Sequence, residues 1–180
     1  MMTIPSHAAA LALALAACTA SVPMASPAPA RPAGGSAQSG DEAREVARLV
    51  NEHRARVGCP PLAWDAAAAR AAQSHSEDMS RRAYFSHTSP EGVVVGTRVT
   101  QAGARWQTVA ENIAFGQPTA AAVVQGWLAS AGHRHNIENC ALTRHGVGKA
   151  GSRWTHVFYT PMPSPGAGRE RNQSAPNSGR

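Results

Sequence analysis

WLASAGHRHNI at residues 127–137, YFSHTSPEG at 84–92 and AENIA at 110–114 are the three stretches that decide the fold and the site of this chain. Each stretch holds at least one side chain suited to acid–base or metal chemistry, and one in each stands out beside a turn or the end of a predicted element. In the same order, these side chains are His133, His87 and Glu111. Two imidazoles and one carboxylate are sufficient to build one polar cleft.

The spacing of apolar residues predicts a mixed α+β domain. We expect helices over 41–57, 66–82, 96–102 and 120–129, strands over 106–113, 146–150 and 154–160, and a loop or helical turn over 132–140. Ser39 and Glu42 are expected to form a capping box at the start of the first helix, and Gly58 to end it. Asp65 and Thr119 are expected as N-caps. This order indicates a small antiparallel sheet rather than a doubly wound one.

The N-terminal segment predicts export. Residues 1–17 contain an apolar stretch of about ten residues from Ala8, which is too short to span a bilayer and fits the core of an export signal. Leu15-Ala16-Ala17-Cys18 then matches a lipobox, in which Cys18 would be lipidated and become the mature N-terminus. The alternative is an ordinary secretory signal cleaved near Ala30.

Composition divides the rest of the chain into three parts. Residues 18–40 are rich in Pro, Ala, Ser and Gly, which predicts a tether that cannot bury enough apolar surface to fold. The tail, residues 163–180, has the same character and is predicted to be disordered. One folded domain is expected over 41–162.

Three cysteines are present, and Cys59 and Cys140 remain once Cys18 is assigned to the lipid. In an exported chain two remaining thiols are expected to form a disulfide. The competing interpretation is a metal or redox pair, although no Cys-x-x-Cys motif is present.

The net charge of +6 comes from arginines and one lysine, Lys149, which are scattered along the chain. No sequence signature of a nucleic-acid-binding fold accompanies them, so no nucleic-acid partner is expected.

Several linked motifs resemble one known family. They are Asn51-x-x-Arg54-x-x-x-Gly58, Leu62-x-Trp64-Asp65, Phe85-Ser86-His87-x-Ser89-Pro90-x-Gly92, Glu111-Asn112-Ile113-Ala114, Trp127-x-x-Ser130-x-Gly132-His133-Arg134-x-Asn136-Ile137 and Gly146-Val147-Gly148. Their order resembles the bacterial, SCP-like branch of the CAP superfamily, which includes cysteine-rich secretory proteins, antigen 5 and pathogenesis-related proteins. The resemblance covers about residues 44–160. It implies an α-β-α sandwich, in which helices cover both faces of a small antiparallel sheet.

The resemblance also implies a cleft of two histidines and two glutamates. Three of these positions fall on His87, Glu111 and His133, while the second glutamate falls on Ser130. In members with the full set the two histidines can hold a divalent cation such as zinc. A metal at His87 and His133 is therefore an expectation, weakened by the loss of the second carboxylate.

Each cleft residue also has a structural interpretation. Taken alone, His87 is better explained as a turn residue that caps nearby backbone. For Glu111 a helix cap or an arginine partner is an equal alternative, and for His133 the alternative is a capping contact beside Gly132. Asn112 is expected to end its strand by bonding local backbone. The other histidines give no clear signal: His75 is expected at the surface or the core edge, and His53, His145 and His156 show no partner.

Three functions remain open. The favoured one is an envelope-anchored or secreted module that binds a lipid, sterol, glycan or peptide in the cleft. The second is a metal-assisted hydrolase of peptide or envelope substrates, and the third is a structural envelope protein. The chain has no Gly-x-Ser-x-Gly elbow, no phosphate loop and no thiol left for nucleophilic work, so catalysis is not expected.

Replacing Cys18 tests the lipid anchor. In a bacterium with lipoprotein processing, the unchanged protein should lose its signal and partition into detergent, because acyl chains attach at Cys18. The Cys18→Ser protein should be released or remain unprocessed. Phase partition together with mass spectrometry of the N-terminus measures both, and a soluble protein cleaved near Ala30 would contradict lipidation.

Overall fold

The computed structural model describes residues 34–163. The helices are α1 (Gly34–Arg56), α2 (Ala66–Arg81), α3 (Val95–Gln101), α4 (Ala120–Ala129) and α5 (Ala131–Glu138). The strands are β1 (Ala63–Trp64), β2 (Trp106–Phe115), β3 (Arg144–Ala150) and β4 (Arg153–Pro161). Side chains begin two of the helices as predicted, because Asp65 accepts from the Ala68 N–H and Thr119 from the Ala122 N–H.

One four-stranded sheet, in the order β1-β3-β4-β2, lies at the centre of the domain. The three long strands pair with one another in antiparallel fashion, and the two-residue β1 adds a parallel edge beside β3, so the sheet is mixed. Strand β2 forms the opposite edge. Its Ile113 carbonyl accepts a hydrogen bond from Trp127 Nε1 at 3.2 Å, so α4 covers part of this edge.

Helices cover both faces of the sheet, which confirms the α+β sandwich. On one face α2 and α3 pack through small residues and Val99 against Val157 and Tyr159 of β4. On the other face α1, α4 and α5 enclose a larger apolar core that includes Trp127, Trp154 and Phe158. Side chains alternate along β4, so this strand contributes residues to two separate cores.

Helix α2 lies unusually close to β3. A Cβ atom added at Gly146 or Gly148 would come within 3.0 Å of the α2 backbone at Ala69 or Gln73, closer than real Cβ atoms approach. The hydroxyl of Ser76 closes the contact, donating to the Gly148 carbonyl at 3.1 Å. The Gly-Val-Gly motif of β3 is therefore a packing requirement of α2.

The predicted disulfide is confirmed. Cys59 and Cys140 are bonded, with their Cα atoms 5.0 Å apart and a sequence separation of 81. The bond joins the segment after α1 to the segment after α5. In the chain-entropy model a loop of this length contributes about 4–5 kcal/mol to the free energy of unfolding.

Arg54 fastens the same region by hydrogen bonds. Its side chain is fully buried, and its guanidinium donates to the backbone carbonyls of Pro60, Ile137, Asn139 and Leu142. A buried guanidinium must satisfy its donors, and here main-chain carbonyls do so. Arg54, named above only as part of a motif, holds the end of α5 against α1.

Three of the differences between the expected and the observed elements change an interpretation made above. Helix α1 begins at Gly34 rather than at 41, so Ser39 and Glu42 lie within it and do not form its start. Strand β2 continues to Phe115, which places Glu111 and Asn112 inside the strand. The segment predicted as a loop or helical turn is the helix α5.

Several expectations lie outside the described residues. They are the signal at 1–17, the lipidation of Cys18, the part of the tether before residue 34 and the tail beyond Pro163. Residues 34–40, also predicted as tether, are helical and form the start of α1. Within 34–163, none of the helices combines the length and hydropathy needed to cross a bilayer.

Three histidines for which the sequence shows no partner have one in the structure. Nε2 of His53 lies 2.8 Å from Glu138 Oε1. Nδ1 of His145 lies 3.0 Å from Nε2 of His156, and both of these residues are at most 1% exposed. Burial lowers the pKa of His145 to about 4 and the pKa of His156 well below its usual value. Two neutral rings, one donating and one accepting, therefore fill this part of the core.

Gly148→Ala should destabilise the domain by about 3 kcal/mol or more, because the new methyl group meets α2 backbone that cannot move aside. Gly126→Ala is the matched control. Gly126 lies inside α4 and an added Cβ there would meet nothing nearer than 4.0 Å, so this protein should be unchanged or about 1 kcal/mol more stable. Urea unfolding measures both, and equal stabilities would refute the packing requirement.

Candidate functional site

Glu111 is the centre of the candidate site. It lies in the middle of β2 and points to the face covered by α2 and α3, where its side chain is 2% exposed. Its Oε1 lies 2.9 Å from Nδ1 of His87, and its Oε2 lies 2.7 Å from Nη2 of Arg98. Both carboxylate oxygens are therefore engaged by cationic or N–H donors.

Arg98 of α3 connects Glu111 to the loop that carries His87. Its guanidinium donates to the His87 carbonyl at 3.0 Å and to the Val93 carbonyl at 2.8 Å, in addition to Glu111. The residue is only 8% exposed. A single arginine thus fixes both ends of the loop and the carboxylate that faces it, and the interpretation of Glu111 as an arginine partner is correct.

The geometry fixes the tautomer of His87. A carboxylate only accepts hydrogen bonds, so Nδ1 carries the proton that is donated to Glu111. In the neutral ring Nε2 is then a free acceptor. Because the His87 side chain is 54% exposed, this atom is available to a ligand. The arrangement is the carboxylate–histidine pair that orients a ring for binding.

His75 supports the site from α2, although it was expected at the surface or the core edge. Its ring is buried, Nε2 donates to the Ser86 carbonyl at 2.9 Å, and the same nitrogen lies 4.0 Å from Glu111 Oε1. Burial lowers the pKa of His75. Tyr84 lies beside it, and its hydroxyl donates to Asp78 at 2.7 Å. The sequence shows no sign of these contacts.

His133 reaches the site from α5. Burial lowers its pKa, and the nearby His87 lowers it further. Asn112 Nδ2 donates to the His133 carbonyl at 3.0 Å, and Asn136 donates to the Asn112 side chain at 2.9 Å. Asn112 was expected to bond local backbone. In the structure Asn112 donates to the His133 carbonyl rather than to local backbone. Neighbouring strand residues face opposite sides of the sheet, so Glu111 contacts the His87 ring on the other side.

Ser130 lies at the junction of α4 and α5 and makes no capping hydrogen bond with its side chain. Ser130 and His133 line one cavity, together with Phe85 from the His87 loop. Ser130 and His133 are therefore neighbours in the wall of one cavity, and His133 lies near enough to His87 for that ring to lower its pKa. His87 in turn contacts the buried Glu111.

The donor set for a metal is incomplete. Among the residues that the structure describes, no group of three His, Cys, Asp or Glu side chains is arranged to hold an ion. His87 and His133 offer two imidazole nitrogens, while Glu111 is engaged by Arg98 and His87. Zinc bound by the two histidines and completed by water or ligand atoms stays a prediction.

Comparison with known proteins identifies the family. Residues 47–160 match the model of the cysteine-rich secretory protein (CAP) family, and the chain belongs to this family. It is 38% identical over 117 residues to the uncharacterized protein YkwD of Bacillus subtilis, a match covering 64% of this chain and 46% of that protein. It is 36% identical over 115 residues to the uncharacterized membrane protein YlbC of Bacillus subtilis, covering 64% and 33%. The chain thus spans less than half the length of either relative.

Solved structures share the fold. An extracellular protein of Bacillus anthracis that contains an SCP domain superposes with a TM-score of 0.70 at 35% identity, over 74% of this chain and 45% of that one. An outer surface protein of Borrelia burgdorferi has a TM-score of 0.65 at 16% identity, over 69% and 96%. The second likeness concerns the fold alone.

Arg98→Gln should destabilise the domain by about 3–5 kcal/mol, because it leaves the buried Glu111 carboxylate without its cationic partner. Arg81→Gln is the control, since its ion pair with Asp78 is exposed and contributes less than about 1 kcal/mol. The double change Arg98→Gln, Glu111→Gln should recover part of the loss. Urea unfolding of these proteins and of the Glu111→Gln single variant gives the coupling energy, and strictly additive losses would contradict the pairing.

Proposed function

We propose that this protein is an exported, lipid-anchored CAP-domain module that binds an envelope ligand in the cleft of His87, Glu111 and His133 and does not turn it over. The observation that carries this proposal is the state of Glu111. Its carboxylate is 2% exposed and both oxygens are held, one by His87 and one by Arg98.

A buried carboxylate with a hydrogen-bonding partner on each oxygen favours binding over hydrolysis. A general base must come within hydrogen-bond reach of the proton that it removes, directly or through one water. At 2% exposure, the Glu111 carboxylate reaches such a proton only if its surroundings rearrange, which would disturb its buried contacts with Arg98 and His87. Glu111 is better suited to orient the His87 ring, so it is a positioning residue in this proposal.

The two imidazoles supply the polar contacts. His87 presents Nε2 as an acceptor, and His133 is half-buried with a lowered pKa, so its ring is neutral at pH 7. Neutral rings accept a hydrogen bond and donate one, which suits hydroxyl and amide groups of a ligand. The same two rings would hold a zinc ion, which would add a Lewis-acidic contact for a ligand oxygen.

The envelope location rests on the leader and on relatives. The lipobox ending at Cys18 predicts an anchor on the outer side of a membrane. A 35% identical solved relative is an extracellular protein, and YlbC is named a membrane protein. A protein in this position meets lipids, glycans and peptides rather than nucleic acid.

Capture of envelope material tests the proposal. The purified protein should retain at least one component from mixtures of envelope lipids, peptidoglycan fragments and peptides, measured by mass spectrometry of the eluate. His87→Ala and His133→Ala should each reduce that component about tenfold or more, because each removes a hydrogen-bonding ring. His135→Ala is the matched control, since this exposed histidine lies on the same helix α5.

Turnover is the opposing outcome. Each mixture is incubated with and without zinc and examined for cleaved products. We expect none above the level of a blank preparation. Reproducible hydrolysis by the repurified protein that falls about a hundredfold in Glu111→Gln, the usual contribution of a general base, would replace the binding proposal with the hydrolase.

A further inference from the structure

Two histidines outside the cleft form a buried pair in the core. His145 of β3 and His156 of β4 are at most 1% exposed, and Nδ1 of His145 lies 3.0 Å from Nε2 of His156. The histidines that contact a carboxylate within residues 34–163 are His53, His75 and His87. The pair therefore differs from them, because no negative charge compensates a proton that it takes up.

Hydrogen bonding fixes where the protons of the neutral pair lie. Nδ1 of His156 is buried and has no hydrogen-bond partner among the described residues, so it is favourable only without a proton. Nε2 of His156 therefore carries the proton of that ring and donates it to Nδ1 of His145. His145 is then protonated at its own Nε2, and both rings are neutral.

A further proton has no satisfied position in this arrangement. On Nδ1 of His156 it would be a buried donor without an acceptor. On Nδ1 of His145 it would face the N–H of His156, so that two donors would meet. Each choice leaves a buried polar group unsatisfied, in addition to the cost of burying a charge.

The charged groups around the pair also oppose protonation. The guanidiniums of Arg54 and Arg44, both on α1, repel a positive charge on His145, and Arg54 repels one on His156. On the side of β1 the neighbour is the uncharged Trp64, whose ring centroid lies 5.9 Å from that of His145. Burial, followed by the two arginines, lowers the pKa of His145 to about 4.

The pair packs against the elements that carry one side of the candidate site. The ring of His156 lies 5.7 Å from that of Trp127 on α4, between centroids. Trp127 lines the same cavity as Ser130 and His133. Arg54, which repels a charged pair, also holds the end of α5 through the Ile137 carbonyl. A change at the pair therefore acts on both α4 and α5.

We propose that the His145–His156 pair makes the domain acid-sensitive, because it takes up protons only when the larger core, enclosed by α1, α4 and α5, opens. At neutral pH the two neutral rings fill their place in this core. In acid the open form is favoured, since water then hydrates the charged rings and separates them from Arg54. The opening displaces α4 and α5, and with them the cavity wall that holds Ser130 and His133.

The pH range follows from the difference between the open and closed forms. A histidine exposed to water has a pKa of about 6.5. Because the pKa of His145 in the closed form is about 4, the open form binds more protons between these two values. The stability that the neutral pair contributes is complete above the upper value and is lost as the pH falls through the range.

Removal of the ionisable rings tests the proposal. His145→Asn and His156→Gln are combined, because their amides lie near the bonded ring nitrogens and do not ionise. The unfolding constant in urea, with the disulfide intact, should rise at least about 50-fold more from pH 7 to about pH 4.5 in the unchanged protein than in this double variant. That factor corresponds to one ring whose pKa moves from about 4 to about 6.5. His135→Gln, at an exposed position of α5, should behave as the unchanged protein does.

NMR of the unchanged protein gives a test that does not require the variant to fold. The ring nitrogen signals of His145 and His156 should show neutral rings protonated at Nε2 from pH 7 to about pH 5. Hydrogen exchange, corrected for its intrinsic pH dependence, then reports the opening. Protection of the Trp127 indole N–H should fall at least about tenfold from pH 7 to about pH 4.5, and protection of the α2 backbone amides should fall less.

Three results would overturn the proposal. The first is an equal pH dependence of unfolding in the unchanged protein and the double variant. The second is titration of either ring above about pH 5.5 in the folded protein. The third is protection at Trp127 that does not change with pH, or that falls only together with the whole of α2. If the double variant does not fold, the two NMR measurements decide.

Discussion

The close contact between α2 and β3 is the constraint on which the rest of the domain depends. Gly146 and Gly148 leave no side chains between the helix and the strand, so α2 lies against the sheet backbone. Ser76 then reaches both the Gly148 carbonyl and Thr155 of β4. This depth places His75, one residue before Ser76, next to the Ser86 carbonyl and within 4.0 Å of Glu111. A looser helix would move the support of the cleft away from the carboxylate.

The two histidines of the cleft are held from opposite faces of one strand, β2. Glu111 serves the face beneath α2 and α3, where it holds His87, and Asn112 serves the opposite face, where it holds the backbone at His133. Two histidines from distant parts of the chain therefore depend on adjacent residues of β2. Ser130 and His133 line a largely apolar cavity beside this polar frame.

The sequence predicts the features that depend on local chemistry. Asp65 and Thr119 begin helices because their side chains accept hydrogen bonds from backbone N–H groups three residues later. The residue types that do this are recognisable in the sequence. Family motifs give His87, Glu111, Ser130 and His133. The structure joins His87 to Glu111 by a hydrogen bond and places Ser130 and His133 in the wall of one cavity. The disulfide was predictable as well, because an exported chain with two remaining thiols is expected to pair them.

Contacts between distant segments are not visible in the sequence. Arg98 holds Glu111 from another element, and no spacing rule connects α3 with β2. His145 and His156 pair only because β3 and β4 are neighbours in register. Asn112 does not end strand β2, because the pairing of β2 with β4 continues as far as Phe115. Tertiary pairing decides each of these cases, and local preference does not.

Arg54 and the disulfide hold the same junction by independent means. The guanidinium binds the carbonyls of Ile137, Asn139 and Leu142 beside the end of α1, and Cys140 lies among these residues. The chain leaves α1 at Gly58, which brings Cys59 to the same place. Because one covalent bond and several hydrogen bonds act on one junction, reduction of the disulfide removes only one of the two restraints.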